Sequence, residues 1–231
     1  MRRKGNGPGA SIFENLRRSL RGADHARAGV LPVGEALHPL ALAAVALLVA
    51  NDWALKPLAA PGSAAGLVTG KLSDVAGLAF APVALSAAIG LVLHAAARLG
   101  ARVDPSLSRR RLIGCVAATG AGFAAVKLSP ALAAHVAGWL SHLGRPAQFY
   151  DDWTDLLALP ALVAALWIGR DELRRVPLGR AAAILRLGRP AAAALADVRW
   201  AGAPAVRVDA LAAALDARDV DRAEALLSSS P

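Results

Sequence analysis

Ten polar side chains stand at the ends of long apolar runs, and their types and spacing admit chemistry. They are Asn51, Asp52 and Lys56; Lys71, Ser73 and Asp74; Lys127; and Asp152, Thr154 and Asp155, with Thr69 and Ser129 beside them. A carboxylate can act as a base or hold a cation, and an ammonium can neutralise developing negative charge, so Asp74 or Asp155 with Lys71 or Lys127 forms a minimal acid–base set. The same groups can instead frame a polar pocket for a headgroup, an ion or a partner protein. An ionisable group costs about 2.5–3.5 kcal/mol at the centre of a membrane and less near its surface, so such groups pair or face water. Ser73-Asp74 and Thr154-Asp155 also have a plainer use, because short oxygen-bearing side chains cap the free N–H groups of a helix's first turn.

Sharper motifs are incomplete. Asp151-Asp152-Trp153-Thr154-Asp155 has the DDxxD spacing that holds magnesium for a diphosphate, but a second acidic motif is missing unless Asn51-Asp52 replaces it. Gly70-Lys71 resembles part of a phosphate loop, with Leu72 where a hydroxyl should bind magnesium and Ala65 where the first glycine should be. His135 and His142 are seven apart, whereas paired metal ligands on a helix lie three or four apart. No serine stands in a nucleophile elbow, and neither a zincin His-Glu pair nor a rhomboid-like Gly-Ser occurs. Cys115 is the single cysteine, which excludes an internal disulfide or thiol relay. No metal and no cofactor is expected.

The elements that must position these groups are four apolar runs, roughly 36–50, 75–97, 112–128 and 156–169. Hydrophobic residues make up 56% of the chain and the mean hydropathy is +0.45, which suits a bilayer better than water. Of 26 Lys and Arg, seven lie in 1–35, five in 98–111 and ten from Arg170 onward; only Lys56, Lys71, Lys127 and Arg145 lie elsewhere. That asymmetry is the positive-inside pattern of a four-pass protein with both termini in the cytoplasm and the polar cluster at the outer face. The net charge of +9 therefore points to anionic lipid and not to nucleic acid. Arg17-Arg18-Ser19-Leu20-Arg21 loosely resembles a twin-arginine signal, but the apolar run begins far downstream and three more follow, so the first run is expected to be retained.

The rest of the chain has readable parts. Residues 1–35 form a basic arm in which Ile12, Phe13, Leu16 and Leu20 recur at helical spacing, giving a short amphipathic helix on the inner leaflet or a solvated arm. Segment 129–143 is too short for a span and reads as an interfacial helix, since a fifth crossing would send the ten tail arginines outward. Trp53, Trp139, Tyr150 and Trp153 mark the outer boundary and Trp167 the inner one. Gly114, Ala118 and Gly122 make a small-residue face on the third run. Residues 171–231 form an Ala/Arg-rich helical tail, broken near Gly188-Arg189-Pro190 and turning at Ala217-Arg218-Asp219, as one docking hairpin would. The two halves of 36–170 echo one another: a Lys beyond an outgoing span, Ser73-Asp74 or Thr154-Asp155 opening the return, then Pro82 or Pro160.

Three strings, Asn51-Asp52-Trp53-Ala54-Leu55-Lys56, Thr69 to Leu78 (TGKLSDVAGL) and Asp152 to Pro160 (DWTDLLALP), resemble the NDxxLK, TGKLSDxAGL and DxTDLLALP blocks of an uncharacterised group of bacterial multi-pass membrane proteins. The resemblance covers about residues 36–170. It implies membrane class and no particular reaction. The expectation is an all-α integral membrane protein of the bacterial plasma (inner) membrane, with four transmembrane helices in two hairpins, an interfacial helix and a cytoplasmic tail. Its partners are membrane lipids, a second copy of the chain or another membrane protein. Two functions follow from the cluster: a non-enzymatic component that binds a headgroup, ion or protein, or an enzyme or transporter acting on a lipid-borne or small polar substrate.

Overall fold

A computed structural model describes residues 31–60, 63–142, 152–175, 180–188, 191–219 and 222–223, so the arm helix at 12–20 lies outside the described residues. Every regular element among them is helical. Three helices are long and apolar enough to cross a membrane: α1 (Pro39–Leu58), α2 (Ala64–Arg98) and α3 (Arg109–Leu128). Their apolar windows are largely uncovered, with 17% buried in α1 and α3 and 39% in α2, so the greasy surface is left for lipid and the chain is a membrane protein.

α1 starts on Pro39, whose missing N–H a first turn does not use, and widens into a π-turn at Asn51–Leu55. α2 departs from expectation. Its start was predicted near residue 75, yet Ser63 caps it: Ser63 Oγ accepts from Gly66 N at 3.1 Å, and the helix then runs 35 residues, about 52 Å. Thr69, Lys71, Ser73 and Asp74 therefore lie inside the helix, and the capping role expected of Ser73-Asp74 is corrected. The helix ends at Gly100 (φ 97°) in a Schellman arrangement, with Ala101 N donating to Ala96 O and Gly100 N to Ala97 O.

Helix α4 (Pro130–Ser141) follows α3, and Ser129 caps it through Leu132 N at 3.3 Å, so Ser129 opens this helix more than it closes the third run. The fourth apolar run is not one α-helix. It begins as a nine-residue 3-10 helix, Trp153–Ala161, and continues as α5 (Leu162–Arg174). Three residues per turn eclipse positions i and i+3, which is why Asp155 and Ala158 fall on one buried ridge. The described residues of the tail include three short helices: α6 (Arg180–Leu187), α7 (Ala192–Trp200) and α8 (Ala205–Asp216).

The chain divides into two compact units. One comprises 40–86 and 109–169, and all four apolar runs meet in it: Ala41, Val83, Ala165 and Ile168 are buried together with Phe80 and Val116 against them. Glycine sets the closest approaches. Leu112, fully buried, occupies the space a side chain on Gly169 would need, and Leu162 lies 2.8 Å from where a Gly120 Cβ would sit. Gly169→Val is expected to cost about 1–3 kcal/mol by overpacking. Gly114→Ala, where an added methyl meets nothing within 4 Å, is expected to be neutral or slightly stabilising; thermal unfolding in detergent compares the two.

The other unit comprises 1–39, 87–108 and 170–231. Its apolar centre is the tail itself, with Ile184, Val198, Val208, Leu211 and Leu215 packed together. Arg180, buried, fastens the 99–108 loop to the tail: it donates to Leu107 O at 2.8 Å and pairs with Asp104 at 3.0 Å and Asp197 at 3.6 Å. Arg186 adds a bond to Val103 O at 3.0 Å. A second polar knot joins the start of α1 to the end of α5. His38 Nε2 lies 3.3 Å and Arg175 Nε 3.1 Å from Asp171 Oδ2, and Glu172, fully buried, packs its carboxylate over Gly34.

Candidate functional site: a Lys–Asp chain across three helices

One stretch of α2, residues 69–74, organises the site. Residues four apart share a helix face and so do residues three apart, which gives Thr69 with Ser73 one direction and Lys71 with Asp74 another. The first face meets the π-turn of α1. Asn51, fully buried, donates from Nδ2 to Thr69 O and to Ser73 Oγ, both at 2.7 Å. Ser73 Oγ donates in turn to Asp52 Oδ1 at 2.7 Å, and Asp52 pairs with Lys56 at 2.7 Å across one helix turn. The wide turn lets the consecutive residues Asn51 and Asp52 reach one hydroxyl. Asn51 Oδ1 is buried without a hydrogen bond among the described residues.

The second face carries the charge. Lys71 Nζ donates to Thr154 Oγ1 at 2.7 Å and to Asp155 Oδ1 at 3.1 Å. Lys127 Nζ donates to the other Asp155 oxygen at 2.5 Å and lies 3.5 Å from Asp74 Oδ2. Lysine and aspartate thus alternate in the order Lys71, Asp155, Lys127, Asp74, and the four charges cancel. Phe123, one turn before Lys127, puts its ring 5.6 Å from the ammonium and adds a cation–π contact.

The chain has a closed end and an open end. The side chains of Lys127, Asp155 and Asp74 are 11, 12 and 21% exposed, whereas Lys71 and Asp152 are 39 and 40% exposed, their charges 3.9 Å apart. Asp152 is also the N-cap of the 3-10 helix, its Oδ1 accepting from Thr154 N at 2.9 Å. Capping at this end therefore falls to Asp152 and not to Thr154-Asp155. Hydrogen bonds from Thr154 hold the Asp152 carboxyl below its ordinary range. A depressed carboxyl stabilises the fold above its unfolded pKa of about 3.9 and loses that contribution as pH falls through its folded value. The cap is accordingly expected to be insensitive to pH from 8 down to about 4 and to weaken only below that, read from circular dichroism of the wild type against Asp152→Ala.

All ten residues singled out by type are joined in these two networks, with Thr69 as an eleventh. Phe123 was missed, although its spacing four before Lys127 is visible in the chain. Glu35, His38, Asp104, Asp171, Glu172, Arg180 and Asp197 were not singled out as a group; they are buried or pair within the other unit. Of the DDxxD string, Asp151 lies outside the described residues, and Asp152 and Asp155 face ammonium groups. Among the described residues no three His, Cys, Asp or Glu side chains are placed to hold a metal. His135 bonds only its own helix, at Ala131 O, among the described contacts. Trp53, Trp139, Trp153 and Trp167 are exposed, as are Gly114, Ala118 and Gly122 on α3; Tyr150 lies outside the described residues. No protein-family model, curated protein or solved structure matches the chain.

Proposed function

We propose that the chain is a four-span protein of the bacterial plasma membrane, both termini cytoplasmic, whose Lys–Asp chain at the outer leaflet is a binding site for a lipid headgroup, an ion or a partner protein. The observation that carries this reading is the alternation Lys71, Asp155, Lys127, Asp74 on three helices, closed at Asp74 and open at Lys71 and Asp152. Each oxygen of Asp155 accepts from an ammonium on a different helix, which commits the carboxylate to holding the cluster together and favours binding over chemistry.

For the fourth span, the 3-10 helix of nine residues and the thirteen residues of α5 together rise about 37 Å, more than the roughly 30 Å of a hydrocarbon core. The twelve residues of α4 rise only about 18 Å and belong at the interface. The sidedness rests on 22 of the 26 cations, of which those exposed at the membrane gain about 1 kcal/mol each beside an anionic inner leaflet.

Two measurements test this. An alkaline phosphatase fusion near residue 62 is expected to be active and one at the C-terminus inactive; the reverse pattern removes the topology. Lipid and small-molecule profiling should then show that an Asp155→Asn strain, with the protein still in the membrane, reproduces the changes of a deletion strain. A wild-type profile from that strain sinks the site.

A further inference from the structure

We propose that the open end of the chain, Lys71 with Asp152, takes the headgroup of an aminophospholipid: a phosphate joined through two carbons to a primary ammonium, the phosphate on Lys71 and the ammonium on Asp152. The assignment rests on the binding-site reading above and names its ligand.

An ammonium has three N–H donors. Two of those on Lys71 are taken by Thr154 Oγ1 and Asp155 Oδ1. The third has no acceptor within hydrogen-bond reach among the described residues, because Asp152 Oδ2 stands 3.9 Å away. Asp152 is in the complementary condition. Its Oδ1 accepts from Thr154 N and the Thr154 hydroxyl also hydrogen-bonds the carboxyl, but a carboxylate has roughly four lone-pair sites, so acceptor capacity remains on the Oδ2 that faces Lys71 at 3.9 Å. A cationic donor and an anionic acceptor, each with hydrogen-bonding capacity to spare and both part-exposed, thus stand side by side.

Charge selects among headgroups. The four inner charges cancel, so Asp152 makes the mouth negative, and an anion that approaches Lys71 without its own cation meets an uncompensated carboxylate. A zwitterion brings the balancing charge with it. A primary ammonium can donate N–H to Asp152 Oδ2, whereas a trimethylammonium cannot. Trp153, adjacent to Asp152 in the chain, suits headgroup depth, being 72% exposed.

The test uses the full chain purified in detergent, with native mass spectrometry after exchange into phosphatidylethanolamine, phosphatidylcholine or phosphatidylglycerol of the same acyl chains. Wild type is expected to retain phosphatidylethanolamine about tenfold better than phosphatidylcholine, the factor of one charge-assisted hydrogen bond. Asp152→Asn, which keeps the Oδ1 acceptor of the cap, should abolish that preference while phosphatidylglycerol is held as well or better. Lys71→Ala should lower retention of all three. Displacement of the lipid by equimolar free phosphoethanolamine sustains the headgroup chemistry and assigns it to a soluble source; no displacement assigns it to the membrane. Equal retention of phosphatidylethanolamine and phosphatidylcholine by wild type overturns the proposal. If Lys71→Ala still lowers all three in that case, only the aminophospholipid assignment falls; if Lys71→Ala retains every lipid as wild type does, lipid headgroups fall as ligands of the binding site altogether.

Discussion

Asp155→Ala is expected to destabilise the spanning unit by about 3–5 kcal/mol, the cost of leaving a buried ion pair with one partner removed. Asp155 answers two ammoniums, with Lys71 on one oxygen and Lys127 on the other. Its loss leaves Lys127 nearly buried with only Asp74, 3.5 Å away, and the face of Phe123. The net value of the intact chain is much smaller, because burying charges consumes most of what their attraction supplies. Asp155→Asn combined with Lys127→Gln, which removes one charge of each sign, should therefore recover more than half of the loss. Denaturation in mixed micelles measures it. Simple additivity of the two single variants would show that the groups are not coupled. By contrast, Asp52→Asn on the exposed pair with Lys56 should change stability by no more than about 0.5 kcal/mol.

Arg180→Met is expected to have a comparable effect in the other unit, again about 3–5 kcal/mol, since it removes the buried guanidinium that faces Asp104 and Asp197 and frees Leu107 O. Methionine keeps most of the stem's packing, so the loss isolates the guanidinium. Arg180→Lys should not rescue it, because an ammonium is a single point and cannot reach three acceptors in different directions as the planar fork does. Limited proteolysis at 99–108 reads the outcome. Asp104 is also held locally by Ser106, so the loop should loosen at its tie to the tail before its own turn is lost. A variant as resistant to cleavage as wild type would show that the loop does not depend on Arg180.

The two sites differ in how far they could be read in advance. In the apolar region any ionisable residue is conspicuous, and the ten side chains named from type and position are all members of the polar networks. Their partners were not legible. Lys71 sits three residues from Asp74 on one helix, yet its bonds go to Thr154 and Asp155, more than eighty residues away in the chain. In the tail, charged residues are common, and nothing in their spacing distinguishes Arg180, which is buried, from Arg186, which is exposed on the same helix. Helix starts are hard to place where several polar residues could each serve as the cap. Ser73-Asp74 looked like a cap because capping residues are short and oxygen-bearing, but Ser63 meets the same description and comes first.

Length, hydropathy and the placement of cations are local quantities, so the chain by itself pointed to helices, to four apolar runs as spans and to the residues there that could carry charge; the structure has three helices long and apolar enough to cross a bilayer. Which carboxylate meets which ammonium depends on the rotation of each helix about its axis. That rotation is decided by packing between segments far apart in sequence, by Leu112 over Gly169, by the widened turn at Asn51 and by the three-residue repeat that puts Asp155 on a buried ridge. Only the tertiary structure contains that information, because the energy of a buried pair depends on ångström distances that no one-dimensional pattern records.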